Sequence, residues 1–152
     1  MDARAQMRQG NAIPTLRFKN DTAKRRRWFT NEAMAHPAKG HISMWEEMIL
    51  RYSKEGDLLL DPMAGVGTSL VAALMGRSVV CVELEQHFVE PMKASWEKMQ
   101  RNPLLGYSLG QALILRGDAR DLEAVLGLEY PILEQNPDLA ADVIISSPPY
   151  EG

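Results

Sequence analysis

A chain of 152 residues, 45% of them hydrophobic, can bury one substantial core and is short for an enzyme that also carries a separate recognition domain. Its formal charge of −3 excludes a global basic field, so affinity for a polyanion would have to come from a local patch. The single cysteine, Cys81, excludes an intrachain disulfide, and no Cys/His spacing resembles a zinc site. With no apolar run of transmembrane length and no signal-peptide core, the sequence reads as cytoplasmic, without membrane or metal.

Residues 1–30 are polar and aperiodic and read as a basic N-terminal arm, with residues 31–152 as the folded domain. The run Lys24-Arg25-Arg26-Arg27 with Trp28 and Phe29 has two readings: a phosphate-contacting patch with stacking aromatics, or a solvated arm whose aromatics pack on the domain. Ser43 and Glu46 make a capping box, and Met44, Trp45, Met48, Ile49 and Tyr52 then share one helical face. Asp57 to Leu60 is a short buried strand, Gly65-Val66-Gly67 a turn, and Thr68 to Met75 a helix closed by Gly76.

A second strand runs from Ser78 to Val82 and ends at Glu83. The next helix has Val89, Met92, Trp96 and Met99 as its inner stripe, with Pro91 expected in its first turn, where a missing N–H does no harm. Ala112 to Leu115 is a third strand, Leu122 to Leu126 a short helix, and Asp142 to Ile145 a fourth strand. Strands alternating with helices predict an α/β fold, Rossmann-like, with a parallel sheet flanked by helices and a ligand at the carboxyl ends of the strands.

The segment Asp61-Pro62-Met63-Ala64-Gly65-Val66-Gly67-Thr68 falls at a strand-to-helix junction, where glycines let backbone approach a ligand. A carboxylate at its front would repel a pyrophosphate, so a cationic ligand fits better than a dinucleotide. Glu83, followed by Leu84, ends the next strand at the place from which an acid accepts from ribose hydroxyls. Asp118, followed by Ala119, stands just past the third strand, placed to accept from an adenine amine. A solvated strand end is the bland reading of Glu83 or Asp118 taken singly. Together, one acid each for a cationic amino-acid end, a ribose and an adenine describe S-adenosylmethionine.

The fourth strand runs into Ser147-Pro148-Pro149-Tyr150. Two adjacent prolines fix φ and donate no N–H, so they hold a rigid turn whose carbonyls serve as acceptors. That suits an amine held for reaction.

Residues from about His36 to Tyr150 resemble the DNA amino-methyltransferases, the N4-cytosine and N6-adenine group. The resemblance implies that Asp61, Pro62, Met63, Ala64, Gly65, Gly67 and Thr68 bind S-adenosyl-L-methionine, and that Glu83 and Asp118 are the ribose and adenine acids. It implies that His36-Pro37-Ala38-Lys39 helps enclose the methionine end. By position, Ser147 and the Pro148 carbonyl would accept the two hydrogens of the target amine, and Tyr150 would stack on a base flipped out of double-stranded DNA. Serine at the first place leans toward cytosine N4 over adenine N6. No covalent enzyme intermediate is needed, so Cys81 is read as packed core.

Two departures stand out. The cofactor loop precedes the catalytic turn, where many family members with this loop have the reverse order. The sheet strands and recognition region expected after the turn do not lie within the 152 residues, so the fold is expected to be incomplete at its C-terminus. The resemblance thus implies the N-terminal portion of a restriction-modification type methyltransferase. Alternatives are a non-catalytic or split cofactor-binding subunit, dimeric or paired with a complementary polypeptide, and a methyltransferase acting on an RNA base or a protein glutamine.

Overall fold

The computed structural model describes residues 15–37, 39–129 and 140–148. In chain order the elements are α1 (Thr22–Trp28), α2 (Asn31–Met34), α3 (Ile42–Tyr52), β1 (Leu58–Asp61), a 3-10 turn (Thr68–Leu70) running into α4 (Val71–Leu74), β2 (Ser78–Glu83), α5 (Gln86–Arg101), β3 (Ala112–Arg116), a 3-10 turn (Ala119–Asp121) running into α6 (Leu122–Glu129), and β4 (Val143–Ile144).

The strands form one sheet in the order β3-β2-β1-β4. Every pairing is parallel, with Leu58 opposite Ser78, Val79 opposite Ala112 and Leu60 opposite Ile144. Parallel pairing puts the carboxyl ends of all four strands on one edge. The expected parallel α/β architecture is therefore present, with strands within about a residue or two of where the apolar runs put them, the assignment error expected at element ends.

Side chains along each strand alternate between the two faces. Leu59, Val79, Cys81, Ile114 and Val143 pack into the larger cluster with Trp28, Phe29, Trp45, Ile49, Leu70 and Met92. Leu60, Val80, Val82, Leu113 and Leu115 pack on the opposite face against Leu122, Val125 and Leu126 of α6. Ile144, which alternation sends to that second face, is 64% exposed.

Four local expectations are corrected. From Thr22 the basic segment is not an arm: it is helical, and its Trp28 and Phe29 are buried in the core. The apolar area of two large aromatics outweighs the cost of ordering a polar segment. The Ser43–Glu46 capping box does not form. His41 is the N-cap of α3 without a side-chain cap, and Asp21 Oδ2 instead accepts from the Ile42 N–H at 2.9 Å, while Lys24 takes both Ser43 and Glu46 as partners. On α3 the buried stripe is Ile42, Trp45 and Ile49, with Met48 packed against the core and Met44 and Tyr52 exposed. Pro91 lies inside α5, past its first turn. Among the described residues no helix is long and apolar enough to cross a membrane.

Candidate active site

The loop after β1 is held by its own backbone and by its neighbour strand. Ala64 N–H donates to the Val82 carbonyl at 2.9 Å, and Gly67 N–H to the Ala64 carbonyl at 2.8 Å. Gly65 and Gly67 both have positive φ, 57° and 84°. That conformation strains any residue with a Cβ. A Cβ on Gly67 would also meet the Met92 Cγ at 2.5 Å, whereas one on Gly65 would meet nothing within 4 Å. Gly67 is thus fixed by packing and Gly65 faces open space, where a ligand can approach the backbone.

Asp61 is only 1% exposed. Its Oδ1 accepts from Ser146 Oγ at 2.7 Å and from the Met63 N–H at 3.3 Å. Burial pushes its carboxyl above the ordinary value. The Ser69 and Ser146 hydroxyls and the Met63 N–H pull the other way, and the charge of Glu83 adds to the rise. In this arrangement Asp61 sets a negative charge beneath the loop rather than presenting an open oxygen in front of it.

Glu83, at the end of β2, is also buried. Its Oε2 accepts from the Gly65 N–H at 2.7 Å and its Oε1 from the Glu85 N–H at 2.9 Å. Each carboxylate oxygen has a second lone pair, so the acid can brace the loop and still accept from a ligand hydroxyl. Leu84 beside it is exposed.

Asp118 follows β3 on the same edge, tied there by the Gly117 N–H donating to the Glu83 carbonyl at 3.0 Å. The Arg120 guanidinium, donating at 2.6 Å, and the Arg120 N–H hold its carboxyl down at about 2. Ala119 begins the short 3-10 turn that this acid caps.

The segment before α3 reaches the same edge. The His36 ring meets the Phe88 ring edge-on at 4.3 Å, and Lys39 Nζ donates to the His36 carbonyl at 2.6 Å. Gly40 then offers its carbonyl to Arg25 and, at 3.5 Å, to Thr68 Oγ1. The segment is therefore held against α5 by His36 and against the loop after β1 by Gly40, and Pro37 is exposed. Ala38 lies outside the described residues.

Ser147 and Pro148 emerge from β4 on this edge, Ser147 half-buried and Pro148 exposed. Pro149 and Tyr150 lie outside the described residues. Three residues of the basic run have internal partners: Lys24 pairs with Glu46, Arg25 is buried against Asp21 and Gly40, and Arg27 donates to the Pro103 carbonyl at 3.2 Å, while the Arg26 side chain is exposed. Trp28 and Phe29 pack on the domain. Among the described residues no group of three His, Cys, Asp or Glu side chains could hold a metal ion.

The loop after β1, both strand-end acids and Ser147 thus share one edge of one sheet, and the segment before α3 meets the loop through Gly40 and Thr68. Residues 6–94 match the DNA methylase family. The chain belongs to that family. The matched stretch contains His36 to Lys39, Asp61 to Thr68 and Glu83, and ends before Asp118 and Ser147.

Relatives agree. The type II methyltransferase M.HpaI of Haemophilus parainfluenzae is 36% identical over 59 residues, 38% of this chain and 19% of that protein. M.HinfI of Haemophilus influenzae is 33% identical over 70 residues, 45% and 20% of the two chains. A tRNA (guanine(10)-N2)-dimethyltransferase of Methanothermobacter thermautotrophicus is 33% identical over 98 residues, 64% of this chain and 23% of that one. The chain therefore spans only a fifth to a quarter of the length of the curated relatives it matches, 19% to 23% of each of these three.

The sequence reading assigned no role to Ser69 or Ser146, whose hydroxyls both act on Asp61. Ser146 does so from 85 positions away, and no local motif marks such a partner.

Proposed function

We propose that this DNA methylase chain carries the cofactor site and catalytic turn for methylation of an exocyclic amine of a DNA base, cytosine N4 in preference to adenine N6. The observation that carries the reading is the convergence of Gly65, Glu83, Asp118 and Ser147 on one carboxyl edge. S-adenosylmethionine, when bound there, supplies an electrophilic methyl group on a cationic sulfonium.

The chain's own residues divide the remaining work. Asp61, buried beneath the loop, favours a cation in front of it; Glu83 accepts from ribose hydroxyls and Asp118 from the adenine amine. His36, Pro37 and Lys39 enclose the methionine end, with Leu84 and Ala119 beside the nucleoside. Ser147 and the Pro148 carbonyl accept the amine hydrogens, so the nitrogen lone pair turns out of conjugation toward the methyl carbon. With S-adenosylmethionine bound, the cofactor would supply the methyl group and leave as S-adenosylhomocysteine, and the proton given up by the amine would pass to water. Tyr150 stacks on the flipped base, a contact worth about 1–3 kcal/mol.

A second reading, methylation of an RNA base, draws on the tRNA-methylating relative, which aligns over more of the chain than the type II enzymes quoted. A third, a split subunit working with a complementary polypeptide, draws on Ile144, exposed at the β4 edge of the described sheet.

The test is transfer of labelled methyl from S-adenosylmethionine to duplex DNA and to RNA, followed by nucleoside analysis. N4-methylcytosine is the expected product. Ser147→Ala should cut transfer about 10²-fold, the scale of losing one transition-state hydrogen bond, while S-adenosylhomocysteine affinity stays put. Equal loss of both would contradict this division of roles, and product in RNA alone would favour the second reading.

A further inference from the structure

We infer that Ser146 is a positioning residue: its hydroxyl ties the catalytic turn to the cofactor loop through Asp61. The inference rests on the methyltransferase reading of this site.

Ser146 Oγ donates to Asp61 Oδ1 at 2.7 Å, joining residues 85 positions apart. The strand that delivers the turn is short. β4 pairs with β1 only at Val143 and Ile144, and the last backbone bond along it is the Ile145 N–H to the Leu60 carbonyl at 3.1 Å. Beyond that point Pro148 and Pro149 have no N–H with which to anchor the chain. Among the described residues past Ile145, the bond that ties this segment back to β1 is the one from the Ser146 side chain.

Its acceptor is well chosen. Asp61 is fixed by its burial and by Ser69 and the Met63 N–H, and it is the first residue of the loop that approaches the cofactor. One hydrogen bond therefore sets the distance between what holds the methyl donor and what holds the amine. Methyl transfer depends steeply on that distance, and a misplacement of about 1 Å can cost about 10²-fold.

The test compares the protein with Ser146→Ala and Ser146→Thr. The readouts are methyl transfer, S-adenosylhomocysteine affinity by calorimetry, and hydrogen exchange of the Ser147 amide. Ser146→Ala should lower kcat by about 10- to 100-fold with cofactor affinity within about twofold, and Ser147 should exchange faster. Ser146→Thr, which keeps the hydroxyl, should restore all three. Unchanged kcat or unchanged exchange in Ser146→Ala overturns the inference, as does a parallel fall in affinity and kcat. Failure of the unsubstituted protein to bind S-adenosylhomocysteine would instead defeat the reading of the site itself.

Discussion

The backbone N–H of Gly65 donates to Glu83 Oε2 at 2.7 Å, so the acid at the end of β2 is an internal brace of the loop after β1. The other oxygen of Glu83 holds the Glu85 N–H at the start of α5. One buried carboxylate thereby fixes two backbone segments at the carboxyl edge of the sheet.

Removing that brace should cost stability as well as binding. Glu83→Ala leaves two backbone donors without their charged partner, and the protein should lose about 1–3 kcal/mol in urea unfolding. Glu83→Gln keeps one carbonyl acceptor and should lose less.

Gly67→Ala combines a positive φ with a Cβ 2.5 Å from Met92 Cγ and 2.9 Å from Leu70 Cδ1. Strain and overpacking together predict a loss of about 1–3 kcal/mol, read as a lower midpoint in thermal unfolding. Gly65→Ala, whose Cβ would meet open space, should cost only the φ strain and so less than Gly67→Ala.

Asp61 should trade stability for function. Because burial raises its carboxyl above the ordinary value of 3.8, the folded protein holds that proton more tightly than the unfolded chain does. Stability therefore falls as pH rises from the unfolded value through the raised folded one, and then stays at that lower level. Asp61→Asn removes this dependence. It should match or exceed the native protein in urea unfolding at pH 7, lose that advantage toward pH 4, and bind S-adenosylhomocysteine more weakly at both.

Cys81 is fully buried beside Ser69, 3.4 Å from its hydroxyl, and burial followed by the charge of Asp61 pushes its thiol far up. A disulfide reagent at pH 8 should leave it unmodified in the folded protein and label it on unfolding in guanidinium. Rapid labelling of the folded protein would contradict the packed-core assignment.

The sheet was legible because each strand is a short, nearly continuous apolar run, and the first three end at an acid or beside a glycine: Asp61, Glu83 and, after Arg116, Gly117. The loop after β1 was legible because Gly65 and Gly67 answer to a local backbone requirement, a positive φ. What could not be read was set by partners distant in sequence. Asp21 rather than Ser43 caps α3, Arg25 reaches Gly40, and Ser146 reaches Asp61. That Trp28 and Phe29 pack on the domain was one of the sequence readings, but the helix from Thr22 was not legible, because the charge run 24–27 shows no apolar periodicity of its own. Pro91 was expected nearer the helix start because the N-terminus of α5, at Gln86, carries no side-chain cap to mark it.

The central claim is that the carboxyl edge of this sheet binds S-adenosylmethionine. Calorimetric titration of the folded protein with the demethylated product, S-adenosylhomocysteine, tests it most directly when repeated on Glu83→Ala and Asp61→Ala. Saturable one-to-one binding, weakened at least about tenfold (1.4 kcal/mol) by each substitution, is the predicted result. Absence of binding by the folded, unsubstituted protein, or binding indifferent to both substitutions, would contradict it.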